Sequence, residues 1–162
     1  MLVAVVGFGL LVALLTVTLS AKDLLWFTKG FTDRPERMIV YHAGQRTELT
    51  AGQENFQPLA KAVLASLSQG ASHPSGIGLS EASLQDAYSL YVTLEVYFEQ
   101  PVKLHAWFNT GDPTQMLFLI TGRHSDLNVV FMGTNGQYMA SPPVLNTAQP
   151  IRDALTEMGY LP

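Results

Sequence analysis

Four histidines, His42, His73, His105 and His124, are the side chains of this sequence best suited to metal or proton chemistry. None stands at i, i+3 or i+4 from another histidine or a suitable partner on a predicted helix, and no His-Glu-x-x-His pattern occurs, so the reading is no metal and no cofactor. The loop Arg123-His124-Ser125-Asp126 gathers a cation, an imidazole, a hydroxyl and a carboxylate within four positions. That set could serve a hydrolase, yet turn chemistry alone accounts for Ser125 and Asp126. No Gly-x-Ser-x-Gly elbow is present, and no catalytic residue is assigned.

Glu95 and Glu99 fall on the same phase of a predicted strand, roughly 13 Å apart at about 3.3 Å per residue. Glycosidase carboxylates stand roughly 5 to 9.5 Å apart, so this pair reads as a solvated sheet face with Tyr97 between the two acids. Tyr91, Tyr97, His105 and Trp107 share the outward phase of two predicted neighbouring strands. Such an aromatic set either packs under a helix or binds a partner. Together with Arg123 and His124 they are the candidate ligand- or partner-binding residues.

The elements that must position these residues follow from periodicity. Met38–His42 and Gln45–Leu49 flank Ala43-Gly44 as a hairpin. Residues 53–69 place Phe56, Leu59, Ala60, Val63, Leu64 and Leu67 on one helical face, ending at Gly70. Residues 71–80 read as a Ser/Gly/Pro loop. Tyr88–Glu99 alternates strictly, Val102–Phe108 alternates after a Gln100-Pro101 turn, and Met116–Thr121 is a continuous apolar run suited to a central strand. Val129–Met132 and Gln137–Ala140 flank Asn135-Gly136, and a last amphipathic helix runs from about Ala148 to Met158. Consecutive strands with tight turns and helices outside that run predict an α+β fold, an antiparallel sheet of about five to seven strands with two packed helices.

Ahead of this domain, residues 1–21 carry no charge, and Lys22 ends the run. About 20 apolar residues span a hydrocarbon core about 30 Å thick, so the segment reads as one N-terminal transmembrane helix and a retained anchor. A cleaved signal peptide would want leading positive charge and a better cut than the one after Ser20. A dinucleotide loop at Gly7-Phe8-Gly9 fails because Val12 replaces the third glycine and no polar helix face follows. Residues 22–37 read as an interfacial tether in which Trp26 and Phe27 either sit at headgroup depth or pack on the domain. Lys22, Lys29, Arg34 and Arg37 all follow the anchor; taken literally, the positive-inside bias places the domain in the cytoplasm, but these charges are few and spread out.

Of 162 residues, the roughly 140 beyond the anchor suit one domain at the usual ~100 to 200 residues per domain, residues 38–162. A net charge of −4 with nine scattered basic residues offers no phosphate-binding stripe, which argues against nucleic acid. The absence of cysteine excludes disulfides, a thiol nucleophile and a lipid-modified cysteine.

The stretch Arg34-Pro35-Glu36-Arg37-Met38-Ile39-Val40-Tyr41-His42-Ala43-Gly44, then Glu48, the Phe56 helix, Met116–Gly122, Val130–Gly133 and Gly136-Gln137-Tyr138, resembles uncharacterised bacterial proteins with an N-terminal anchor or lipid attachment and a small extracytoplasmic α+β domain. The likeness spans about residues 34–145 and carries no known reaction. It implies a domain on the extracytoplasmic side. The expectation is therefore a single-pass membrane-anchored domain with a non-enzymatic binding or scaffolding role at the cell envelope, whose partners are the membrane and a protein or envelope component. An accessory subunit of a larger membrane complex and a hydrolase using His124 and Asp126 are the alternatives.

Overall fold

The computed structural model describes residues 2–162. Its first element, α1 (Leu2–Ala21), is apolar on every side and solvent-exposed over nearly all its length. Val3–Ala21 is long and apolar enough to cross a membrane, a property it shares with signal sequences. Only its end meets the rest of the chain, where Ala21 is fully buried.

The domain is α+β. A six-stranded antiparallel sheet runs in the order β2-β1-β4-β5-β6-β7, formed by β1 (Arg37–His42), β2 (Gln45–Thr50), β4 (Thr93–Tyr97), β5 (Gln115–Leu119), β6 (Val130–Thr134) and β7 (Gln137–Tyr138). A two-stranded sheet pairs β3 (Ala71–Pro74) with β8 (Pro143–Leu145). The register places Met38 opposite Val96, Val96 opposite Met116 and Met116 opposite Met132, with Val40, Leu94, Phe118 and Val130 in the parallel row. Because side chains alternate across a strand, these residues make one apolar face. Two helices cover it, α2 (Phe56–Ser68) with Phe56, Leu59, Val63 and Leu67, and α4 (Gln149–Glu157) with Ile151 and Leu155. Arg152 fastens α4 to the sheet end, donating from Nη1 to the Ile120 carbonyl at 2.6 Å and from Nη2 to the Ser125 carbonyl.

The opposite face carries a smaller core, Leu117, Val129 and Phe131, and a third helix, α3 (Glu81–Ser89), which sequence periodicity does not reveal. Ser80 caps α3 by accepting from the Ser83 N–H at 3.1 Å, an interaction worth about 1 kcal/mol. Tyr88 and Ser89 therefore belong to a helix and not to the predicted strand, which shrinks to β4. The expected loop 71–80 likewise contains β3. Val102–Phe108 alternates in burial as expected but forms no strand. Both edges of β4 are taken, by β1 and β5, so no ladder is open to it; Val102 and Leu104 enter the main core from irregular backbone instead.

The segment between anchor and sheet lies against the domain. Phe31 is buried, edge-on to Phe98, and its N–H and C=O both pair with the Ser68 hydroxyl at 3.2 Å.

Candidate functional site

Glu95 is only 2% exposed, which overturns its reading as part of a wet sheet face; Glu99, past the end of β4, is the exposed member of that pair. In the row Ile39–Glu95–Leu117–Phe131 it takes an interior position on the α3 face. An uncompensated carboxylate there would cost several kcal/mol. The compensation comes from four tyrosine hydroxyls. Tyr41 of β1 and Tyr97 of β4 donate to Oε2 at 3.1 and 2.8 Å, while Tyr138 of β7 donates to Oε1 at 2.6 Å and Tyr88 of α3 donates to the same oxygen. A carboxylate offers about four lone-pair sites, so its acceptor capacity is filled.

Each donor reaches Glu95 for a local reason. Tyr97 lies two positions along the same strand and is braced by the Arg37 guanidinium, 3.9 Å from its ring centroid. Tyr138 passes over Gly133, where a Cβ would come within 2.8 Å of its ring, so the missing side chain makes the room. Tyr41 and Tyr88 stack with centroids 4.3 Å apart, tying α3 to β1. Burial, then the Glu95 charge and hydrogen bonds, push the Tyr88, Tyr97 and Tyr138 hydroxyls well above the ordinary tyrosine range, and Tyr41 shifts the same way. The hydroxyls therefore stay protonated and remain donors at all physiological pH values.

Beside this cluster a cleft of about 350 Å3 opens between α3 and the turn that follows β5. Leu119 and Phe131 supply apolar lining, α3 supplies Ser83 and Asp86, and the turn supplies Arg123 and His124 next to Tyr91. Gly122 fixes this turn. Its φ is +83°, and an added Cβ would collide with the Tyr91 ring, so Tyr91 packs directly on the glycine backbone. The turn continues through His124 at φ +64° into a short 3-10 segment, Ser125–Leu127. Arg123 is exposed and takes part in none of the ion pairs among the described residues.

The six candidate binding residues thus do not make one patch. Tyr91, Arg123 and His124 meet in the cleft; Tyr97 serves Glu95; His105 and Trp107 lie elsewhere, in a shallow depression shared with Trp26 and Phe27. There Nδ1 of His105 pairs with Oδ2 of Asp23 at 2.7 Å. Burial raises the Asp23 pKa, but hydrogen bonds from His105 and the Leu25 N–H outweigh it and leave the carboxyl below its usual range. Among the described residues no cluster of three or more metal-ligating side chains occurs. His124 and Asp126, the pair named for hydrolysis, share no hydrogen bond or ion pair among the described residues, and Asp126 is exposed.

Sequence reasoning missed Glu95. An acid at an otherwise alternating position, with tyrosines at 41, 88, 97 and 138, had no local signal to mark it except Tyr97 on the same phase. A comparison with protein-family models, curated proteins and solved structures finds no match to this chain.

Proposed function

We propose that this chain is a single-pass membrane-anchored domain with a non-enzymatic binding role at the cell envelope, and that the cleft under α3 is its binding site. The observation that carries this reading is a cleft of mixed lining, apolar at Leu119 and Phe131 and polar at Ser83 and Asp86, with Arg123, which forms no ion pair among the described residues, at its rim. That combination suits a ligand with an apolar body and an acidic group, such as an acidic peptide segment or an anionic envelope molecule, because a charge-assisted bond to arginine adds orientation to apolar burial. Ser83, Asp86, Arg123 and His124 share the cleft, but among the described residues the His124 imidazole has no hydrogen bond or ion pair to a carboxylate, the contact that orients the base in triad-type catalysis.

The extracytoplasmic side is supported by the resemblance to anchored bacterial envelope domains and opposed by the few basic residues after α1. Protease accessibility in intact cells decides it. The binding reading is tested by gentle detergent extraction of the tagged full-length protein, comparing what accompanies wild type with what accompanies Arg123→Ala and Tyr91→Ala. A companion that is present with wild type and lost with both variants is the expected result. Companions retained equally by all three would refute the cleft, and if these were integral membrane proteins the role of accessory subunit held through α1 would take its place.

A further inference from the structure

The residues after α1 form a pinned corner. Trp26 folds back and donates from Nε1 to the Thr18 hydroxyl on the last turns of α1, at 3.2 Å. Asp23, whose side chain is 7% exposed, holds His105 of the domain. Phe31 enters the core eight residues later, fastened at both backbone groups by Ser68. With Ala21 buried as well, the end of α1 has little freedom to swing away from the domain.

This corner exposes large apolar side chains that nothing in the fold covers. Leu24 is 79% exposed, Leu25 50%, Phe27 63% and Trp107 51%. Trp26, Phe27, His105 and Trp107 line one depression, so Trp107, distant in sequence, belongs to the same patch as the tether. Its indole N–H is already satisfied by the Ser72 carbonyl at 2.9 Å, which leaves the ring to present hydrocarbon outward. Exposed lysines, Lys22 and Lys29, flank the patch along the chain.

We propose that Trp107, with Leu24, Leu25 and Phe27, rests in the headgroup–acyl boundary of the same bilayer that α1 spans, so that the domain is held against the membrane in one pose. The proposal rests on α1 being an anchor. The occupant follows from continuity: these side chains adjoin the point where the helix leaves the hydrocarbon, where aromatic residues are favoured and lysines meet anionic headgroups. The Asp23–His105 pair is the latch that keeps Trp107 at that depth. Without it, Trp26 on Thr18 and Phe31 on Ser68 remain, but no side-chain tie among the described residues joins residues 22–30 to the His105 segment, and the domain lifts more readily while α1 stays inserted.

The sequence holds two tryptophans, which makes the pose measurable. The full-length protein is placed in nanodiscs of phosphatidylcholine and phosphatidylglycerol, with plain or brominated acyl chains. In Trp26→Phe the remaining Trp107 should lose at least about half its fluorescence to bromines near the headgroup and less to bromines deep in the chain. Adding His105→Ala should restore most of that intensity. In Trp107→Phe, Trp26 should be quenched with the latch present or absent. Equal Trp107 intensity in plain and brominated discs, with Trp26 quenched, overturns the docking but leaves the anchor standing. Failure of the chain to enter discs overturns both. If Trp26→Phe does not fold, the difference in quenching between wild type and Trp107→Phe reads the same quantity.

Discussion

Glu95→Ala removes the one acceptor that holds four tyrosines from four different elements, and its cost can be worked from the structure. A hydrogen bond to a charged group contributes about 1.5–3 kcal/mol net, so four at the low end give about 6 kcal/mol. All four tyrosines are half-buried, and water reaching their hydroxyls in the variant returns about a third of this. The expected loss is therefore about 4 kcal/mol, at the upper end for a single substitution. Glu95→Gln keeps one oxygen of the carboxylate and should lose about half as much, about 2 kcal/mol, since two hydroxyls then face an amide N–H. The assay is urea unfolding of the full-length protein in detergent, followed by the near-ultraviolet circular dichroism of the tyrosines. An alanine variant within about 1 kcal/mol of wild type, a shift too small for four lost bonds, would refute the claim that this cluster fastens the second face.

Alkaline pH should act on the same cluster. Because the Tyr88, Tyr97 and Tyr138 pKa values are raised in the folded state, both states are protonated below pH 10 and the stability is whole. Above that the unfolded tyrosines ionise while the folded ones do not, favouring unfolding by about 1 kcal/mol per tyrosine between pH 10 and 11. Partial hydration trims the sum for three to about 2 kcal/mol. Urea midpoints at pH 9, 10 and 11 read this fall, and a flat series would contradict it. Gly122→Ala should destabilise by about 1–2 kcal/mol from the left-handed backbone alone and displace Tyr91 besides; an unchanged midpoint with unchanged companions on extraction would show that the turn does not shape the cleft.

How much was legible follows from where the determinants lie. The main core was readable because Leu94 and Val96, or Leu59 and Val63, announce their face by local periodicity, and Asn135-Gly136 does adopt the left-handed turn its sequence suggests, with φ of +53° and +78°. Alternation also misled. Val102–Phe108 has the period of a strand without a strand's partner, since pairing depends on which edges other segments have filled. The Glu95 cluster was illegible for a different reason. Its donors stand 54, 7, 2 and 43 residues away, and only the fold brings them together. Tyr88 was hidden further because α3 buries only Ala87 outright, too little for a helical stripe to show. Trp107 met Trp26 and Phe27 by the same long-range route.

A buried acid held by four tyrosines is a costly way to cover a sheet face, since well-packed apolar residues in place of buried charge are often neutral or more stable by about 1–4 kcal/mol. Its advantage is direction. The core on this face is small. The β6–β7 ladder and the Thr93 hydroxyl on the Ala87 carbonyl place β7 and α3, and the need for Tyr88 and Tyr138 to reach one oxygen atom fixes their relative setting further. The cleft is built against α3, so its shape depends on that setting. Replacing the cluster as a unit, Glu95→Leu with Tyr41, Tyr88, Tyr97 and Tyr138 each changed to Phe, should therefore leave the urea midpoint at or above wild type while amide exchange along residues 83–89 speeds and whatever binds the cleft is lost. Stability and binding would part company. If instead exchange and binding were unchanged in that variant, the cluster would be filling space and the case for a cleft shaped by Glu95 would fall.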